Sequence, residues 1–261
     1  MIIPALFVVL SAIGPSPSPV VIDEARARAT ERDEPRSVRV DARGATRIII
    51  LARSGWLRVE GRRDASEVVG EGTARAPRQS LLDEIKLEGT REGSIVRIEV
   101  IMPDTRNMRW DNWDHGPALD LTVTVPDNIP VEIEDSSGEV RVTGTAALDI
   151  DDNSGALEIR DVGGALRVRD GSGELSIENV KGDVTVDDGS GEIDVREVTG
   201  SLTVRDGSGS ITARGVGGTV HVARDGSGGI RVVDVGGDLI VDHGRRRGLS
   251  YSGVKGRVRV E

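Results

Sequence analysis

Cysteine is absent from all 261 residues, which excludes disulfides, zinc–thiolate sites, thiol chemistry and a lipid anchor on an N-terminal cysteine. Aromatic residues are scarce as well: one Phe, one Tyr and three Trp, so any core has to be aliphatic. Basic charge is not in excess. The 34 Lys and Arg stand against 44 Asp and Glu for a net charge of -10, which argues against phosphate neutralisation on a nucleic acid and against an anionic membrane as partner. Apolar runs are short. The first 14 residues, MIIPALFVVLSAIG, are uncharged but cannot span a bilayer. They read as a secretory signal peptide ending in small residues (Ala12, Gly14), although no Lys or Arg precedes the apolar stretch. Residues 15–36 read as a disordered linker, because PSPSP and the charge-rich DEARARATERDEPR contain almost nothing large and apolar to bury.

What the chain has in quantity is glycine, 34 residues, and it is periodic. From about residue 121 apolar residues fall in pairs two apart, and the pairs recur about every nine residues. The register runs Val131/Ile133, Val140/Val142, Leu148/Ile150, Leu157/Ile159, Leu166/Val168, Leu175/Ile177, Val184/Val186, Ile193/Val195, Leu202/Val204, Ile211/Ala213, Val220/Val222, Ile230/Val232, Leu239/Val241, Leu249/Tyr251 and Val258/Val260. Each pair marks a short strand with two inward side chains. Two turn types alternate between them. One is D/N-G-S-G or a relative, as at Gly171-Ser172-Gly173 and Gly189-Ser190-Gly191; the other is Val-x-Gly, as at Val180-Lys181-Gly182 and Val198-Thr199-Gly200.

The true repeat is therefore 18 residues with two strands per coil. Coils stacked at a strand separation of about 4.8 Å let every backbone ladder pair with its neighbours. The outward residues Asp151, Arg169, Asp187 and Arg205 alternate in sign at that spacing, so stacking sets opposite charges side by side. The fold expected is all-β: a two-sheet parallel β-helix (β-solenoid) over residues 126–261, right-handed by the crossover rule, about seven coils and roughly 35 Å long. The valines of the second turn should close one edge of its core, with glycines at the positive-φ corners. Residues 37–125 are β-rich without this period and are expected to form an N-terminal β cap, since an open terminal coil exposes apolar core and unpaired backbone.

Those features, with SGWLRVEGR, LDLTVTVPDNIPVEIEDSSGEVRV and the recurring SG-E/A-L-x-I strands, make the chain similar to the bacterial putative-adhesin family over residues 37–260. That family is a β-helical domain of unknown function in exported and membrane-tethered envelope proteins. The resemblance implies an extracytoplasmic location (periplasmic, cell-surface or extracellular) and a surface-binding or envelope-stress role. It carries over no catalytic residues.

Asp170, Asp188, Asp206 and Asp225 precede the glycine turns and should form a column. Stacked carboxylates about 5 Å apart repel unless a cation intervenes, which makes calcium the cofactor to consider. The calcium-binding repeat G-G-x-G-x-D-x-U-x is not matched, however, and Asp-Gly is also a good turn pair whose carboxylate bonds nearby N–H groups. Trp110, Trp113, Asp114 and His115 concentrate two tryptophans beside polar groups, as a sugar- or peptide-contacting loop would; they would equally plug the end of the solenoid. Arg245-Arg246-Arg247 suits an anionic glycan or lipid head group, or a solvated turn. His221 and His243 are expected to be ordinary surface residues.

Turns of about four residues leave no wall for a cleft, so no catalysis is expected. The chain reads as an exported, adhesin-like binding or structural module with no transmembrane span and no nucleic-acid partner. It would bind an envelope component, a glycan or a partner protein. The alternative is a scaffold that self-associates end to end; a calcium-binding repeat protein and a polysaccharide-acting enzyme stand behind these.

Overall fold

The structure, a computed structural model, describes residues 32–106, 116–242 and 248–261. Strands β1 (Arg32–Asp41), β2 (Arg47–Leu51), β3 (Leu57–Arg62) and β4 (Glu67–Ala76) lead to a short helix, α1 (Gln79–Glu84), then β5 (Lys86–Glu92), β6 (Ile95–Ile101) and β7 (Ala118–Pro126). Repeat strands follow alternately in two sheets. One sheet takes β9 (Val140–Thr143), β11 (Leu157–Val162), β13 (Gly173–Val180), β15 (Gly191–Val198), β17 (Ile211–Val216), β19 (Ile230–Val235) and β21 (Leu249–Val254). The other takes β8 (Val131–Asp135), β10 (Leu148–Asp152), β12 (Leu166–Asp170), β14 (Val184–Asp188), β16 (Leu202–Asp206), β18 (Val220–Asp225), β20 (Leu239–Val241) and β22 (Val258–Val260). All repeat strands pair in parallel with their equivalents in the adjacent coils, as in Leu166↔Val184 and Val168↔Val186.

Every apolar pair from Val131/Ile133 to Leu239/Val241 is buried. At about 1.5–3 kcal/mol for each large aliphatic side chain removed from water, this double row is the main stabilising contribution. The valines Val162, Val180, Val198, Val216 and Val235 are also buried and close one edge. Outside, Asp151, Arg169, Asp187 and Arg205 stand in one register, and Arg169 reaches both Asp149 (3.4 Å) and Asp151 (3.5 Å).

Residues 37–125 contain strands of two kinds. Strands β2 and β3 form a coil of the solenoid itself, pairing in parallel with β8 and β9; β6 and β7 form the next coil outward. The physical reason is in the residues: Ile48/Ile50 and Leu57/Val59 are buried inward pairs with the repeat's own spacing. The cap proper is antiparallel, with β1 on β4, β4 on β7 and β5 on β6. Residues 32–36, which composition assigns to the linker, belong to β1; the Arg36 guanidinium donates to the carbonyls of Ile85 and Leu82 and so ties the strand to α1. At the other end of the described residues Leu249 is half-buried, and Tyr251 and Val258 are exposed.

The two corners solve the turn differently. In the S-G turn, Gly155, Gly173, Gly191, Gly209 and Gly228 all have φ between 138° and 152°. Successive glycines also touch: a methyl on Gly191 would lie 1.6 Å from the Gly173 carbonyl oxygen. Before the valine column, positive φ falls on Asp161, Asn179, Glu197 and Asp234 (55–58°) and on glycine at Gly215 and Gly253 (68°), and Asn179 Nδ2 donates to Asp161 Oδ1 at 2.5 Å. Replacing Gly191 with Ala should therefore cost about 2–4 kcal/mol, combining backbone strain with overpacking. Glu197→Gly, which relieves a left-handed side chain, should change stability by under about 1 kcal/mol. Urea unfolding of the two variants checks both values.

Candidate functional site

Two places on the solenoid concentrate polar chemistry. The first is the carboxylate column. In-register pairing stacks Asp135, Asp152, Asp170, Asp188, Asp206 and Asp225, so the four aspartates expected from the D-G-S-G turns are joined by two more. Both stand three residues before the glycine of an S-G turn (Asp135-Ser136-Ser137-Gly138, Asp152-Asn153-Ser154-Gly155), a signal hidden when the turn is read as D-G. The side chains point inward, not to solvent: Asp135, Asp152, Asp170, Asp188 and Asp206 are 1–5% exposed.

One oxygen of Asp170 accepts from the Ser172 N–H at 3.2 Å, and one of Asp206 from the Ser208 N–H at 3.0 Å. This is the turn-capping role expected of Asp-Gly. Asp170 Oδ2, Asp206 Oδ2 and both oxygens of Asp152 and Asp188 are buried without a hydrogen bond of good geometry. Two ionised carboxylates about 5 Å apart at an effective dielectric of about 20 repel by about 3 kcal/mol. Burial, with the neighbouring aspartates adding to it, pushes Asp135 and Asp188 up to about 7 and Asp170 up to about 6. Burial also raises Asp152, Asp206 and Asp225. Among the described residues no three acids, histidines or cysteines converge as metal ligands.

The second place is on the outer face of the β3–β9 sheet. Arg58 stands in register between Thr122 of β7 and Arg141 of β9. Its guanidinium lies 5.7 Å from the ring centroid of Trp56, which is 41% exposed, a cation–π distance. A trough of about 610 Å³ is lined by Arg58, Glu60, Gly61, Arg62, Arg63, Arg141 and Thr143. A neighbouring depression of about 420 Å³, lined by Trp56, Leu57, Arg58, Glu139 and Arg141, continues it. Arg141 is held by Glu158 (2.5 Å) and Glu139 (2.9 Å), Arg62 by Glu60 (3.1 Å), and Arg63 approaches Asp127 (4.0 Å). The surface therefore pairs an exposed aromatic face with four guanidinium groups, and Arg58 contacts the ring. Asp120 anchors the edge: its Oδ1 accepts the backbone N–H of Trp56 at 3.1 Å and its Oδ2 pairs with Arg75 at 2.6 Å. On the opposite sheet, a depression of about 410 Å³ near Pro130, Ala147 and Ala165 carries both signs of charge, with Arg47 and Glu132 paired at 3.2 Å.

Trp110, Trp113, Asp114 and His115 lie outside the described residues, as do His243 and Arg245-Arg246-Arg247. His221 has a partner that its sequence position did not reveal: its Nε2 lies 2.7 Å from Asp242 Oδ2. Trp56 carried only the resemblance in the sequence; its place beside Arg58 depends on the stacking of β3 against β9.

The family model for Toastrack DUF4097 matches residues 98–238, from β6 through all the coils that hold the carboxylate column. The chain belongs to the Toastrack DUF4097 family. The Toastrack match leaves Trp56 and Arg58 outside it and Arg141 within. Solved structures similar to the chain include a putative cell adhesion protein from Clostridium sporogenes, 12% identical at a TM-score of 0.39, covering 88% of this chain and 93% of that one. Putative adhesins from Bacteroides fragilis and Parabacteroides distasonis are each 13% identical, with TM-scores of 0.30 and 0.31, and each covers 87% of this chain and 97% of its own. Likeness at this level says nothing about what this Toastrack chain binds. No curated protein matches it. Among the described residues no helix is long and apolar enough to cross a membrane.

Asp120→Ala should lower stability by about 1.5–3 kcal/mol, since it removes an acceptor from Trp56 and strands the partly buried Arg75. Thermal unfolding against Asp120→Asn, which keeps one acceptor, checks this; equal loss in the two variants would contradict it.

Proposed function

We propose that this Toastrack protein is an exported, non-catalytic, adhesin-like module of the bacterial cell envelope. We place its ligand-contacting surface at the Trp56–Arg58–Arg141 trough and take its ligand to be an acidic glycan. The observation that carries this reading is an exposed indole stacked beside a guanidinium that no carboxylate approaches within 4 Å among the described residues. An indole face packs against the apolar face of a sugar ring, and guanidinium groups bind carboxylate or sulfate substituents by charge-assisted hydrogen bonds. The trough is open and faces away from the core, which suits a chain passing over it better than a small substrate enclosed for reaction. The apolar leader MIIPALFVVLSAIG supports export.

Binding of the full chain to immobilised polyuronate and to neutral dextran tests this. Polyuronate should be preferred and its binding should weaken as salt rises. Trp56→Ala and Arg58→Ala should each reduce affinity about tenfold, the size of one lost aromatic or desolvated guanidinium contact. A Trp110→Ala/Trp113→Ala variant keeps the other tryptophan surface in view: if it alone loses binding, the trough is the wrong site.

Self-association is a second reading, motivated by the exposed Tyr251 and Val258 of the last coil. Antiparallel strands cover the other end of the described coils, and the contact proposed is tail-to-tail through β21 and β22. Sedimentation should then show a limit at dimers; filaments, or a monomer at all concentrations, would overturn this reading.

A further inference from the structure

The carboxylate column poses a question that neither the family nor the trough answers: what neutralises it. Among the described residues its members face one another and nothing basic. The groups acting on Asp135 are Asp152 and the turn N–H groups of Ser136 and Ser137; on Asp152, Asp135, Asp151 and the N–H groups of Asn153 and Ser154. On Asp170 they are Asp152, Asp188 and the N–H groups of Gly171 and Ser172; on Asp188, Asp170, Asp206 and the Ser190 N–H. Asp206 faces Asp188, Asp225 and the N–H groups of Gly207 and Ser208, and Asp225 the Ser227 N–H. Toward the capped end the row stops: β2 pairs Leu51 with Glu134, which sets the buried Ala52 against Asp135.

Six acids in one file, five of them more than nine-tenths buried and two of them, Asp152 and Asp188, with neither oxygen holding a hydrogen bond of good geometry, require positive charge from outside the polypeptide. Calcium takes six to eight oxygen ligands, whereas each gap in the column offers two carboxyl groups and part of their capacity is already used by turn N–H donors. A proton needs only two oxygens facing each other across a gap, and that is the arrangement the stacked coils repeat.

We infer that the column is a ladder of shared protons, in which protonated and ionised aspartates hydrogen-bond to one another from coil to coil, so that this edge of the rod closes by taking up protons as the chain folds. The sign of the linkage follows. Carboxyls whose folded pKa is raised to about 6–7 stabilise the fold fully below the unfolded value near 4, and that stability is lost as pH rises from about 4 through 7. The rod is thus stabilised by acid and loosened by alkali along one corner, opposite to the behaviour of a fold held by salt-bridged carboxylates.

Three measurements on the full chain test this. Infrared spectra at neutral pH should show a protonated-carboxyl band that vanishes on unfolding in urea. Unfolding at pH 6 should release about two protons by calorimetry in buffers of different ionisation enthalpy. The Tm should fall between pH 5 and pH 8, and Asp188→Asn, which fixes one member neutral, should flatten that fall. If Asp188→Asn does not fold, the infrared and proton-release results on the unaltered chain decide alone. No carboxyl band and no proton release would overturn the inference, as would a Tm that rises across this range. A large rise in Tm on adding calcium at neutral pH that Asp188→Asn abolishes would equally overturn it, in favour of a bound cation.

Discussion

Parallel stacking in register is the constraint on which this molecule rests. Once one coil lies on the next without offset, every residue meets its own equivalent above and below, and a choice made once is made in every coil. Apolar equivalents gain from this, since a leucine over a leucine builds a continuous core. Residues without a side chain gain too, because Gly173, Gly191 and Gly209 bring backbones close enough to exclude a methyl. Surface charges are tolerated by alternating in sign, as Asp151, Arg169, Asp187 and Arg205 do. Buried carboxylates have no such escape, and the aspartate file is where stacking conflicts with electrostatics.

The S-G repeat, the most visible motif in the chain, is explained by packing. Its glycine turns a corner at positive φ against the carbonyl of the coil before, and its serine N–H caps an aspartate at Asp170 and Asp206. The motif therefore identifies the architecture and leaves the ligand open. Recognition has to come from what is not repeated, and Trp56 beside Arg58 is such a departure: it occurs once, on an early coil, with an arginine of the adjoining strand next to it.

Much of the fold was legible because the period of two within strands and of nine between them is written in Val, Leu and Ile. The pairs from Val131 to Val241 were readable one by one, as was the valine edge. The early coils escaped because their pairs are interrupted: Ile48/Ile50 and Leu57/Val59 hold the nine-residue step, but β4, α1 and β5 separate them from the coil that stacks outside. Positive φ at Asp161, Asn179, Glu197 and Asp234 was hidden by residue type, since the nearby glycines drew the turn. The aspartate column was visible as a column but not as buried, because alternation after an inward pair does not say when a corner turns the next side chain in. The trough was not legible at all: it joins residues 56–63 to residues 141–143, and only the docking of β3 on β9 brings them together.

The antiparallel cap has a mechanical consequence. Backbone hydrogen bonds between coils run along the rod, so a pull on the last strand opens a few of them at a time, like a zip, and does not shear the whole ladder at once. At the other end β1 is laced antiparallel to β4 over ten residue pairs and β4 in turn to β7, so the first step there has to open a far longer ladder than the three pairs between β20 and β22. Under load the rod has a weak end and a strong one, and it would unravel coil by coil from Val260 toward the cap.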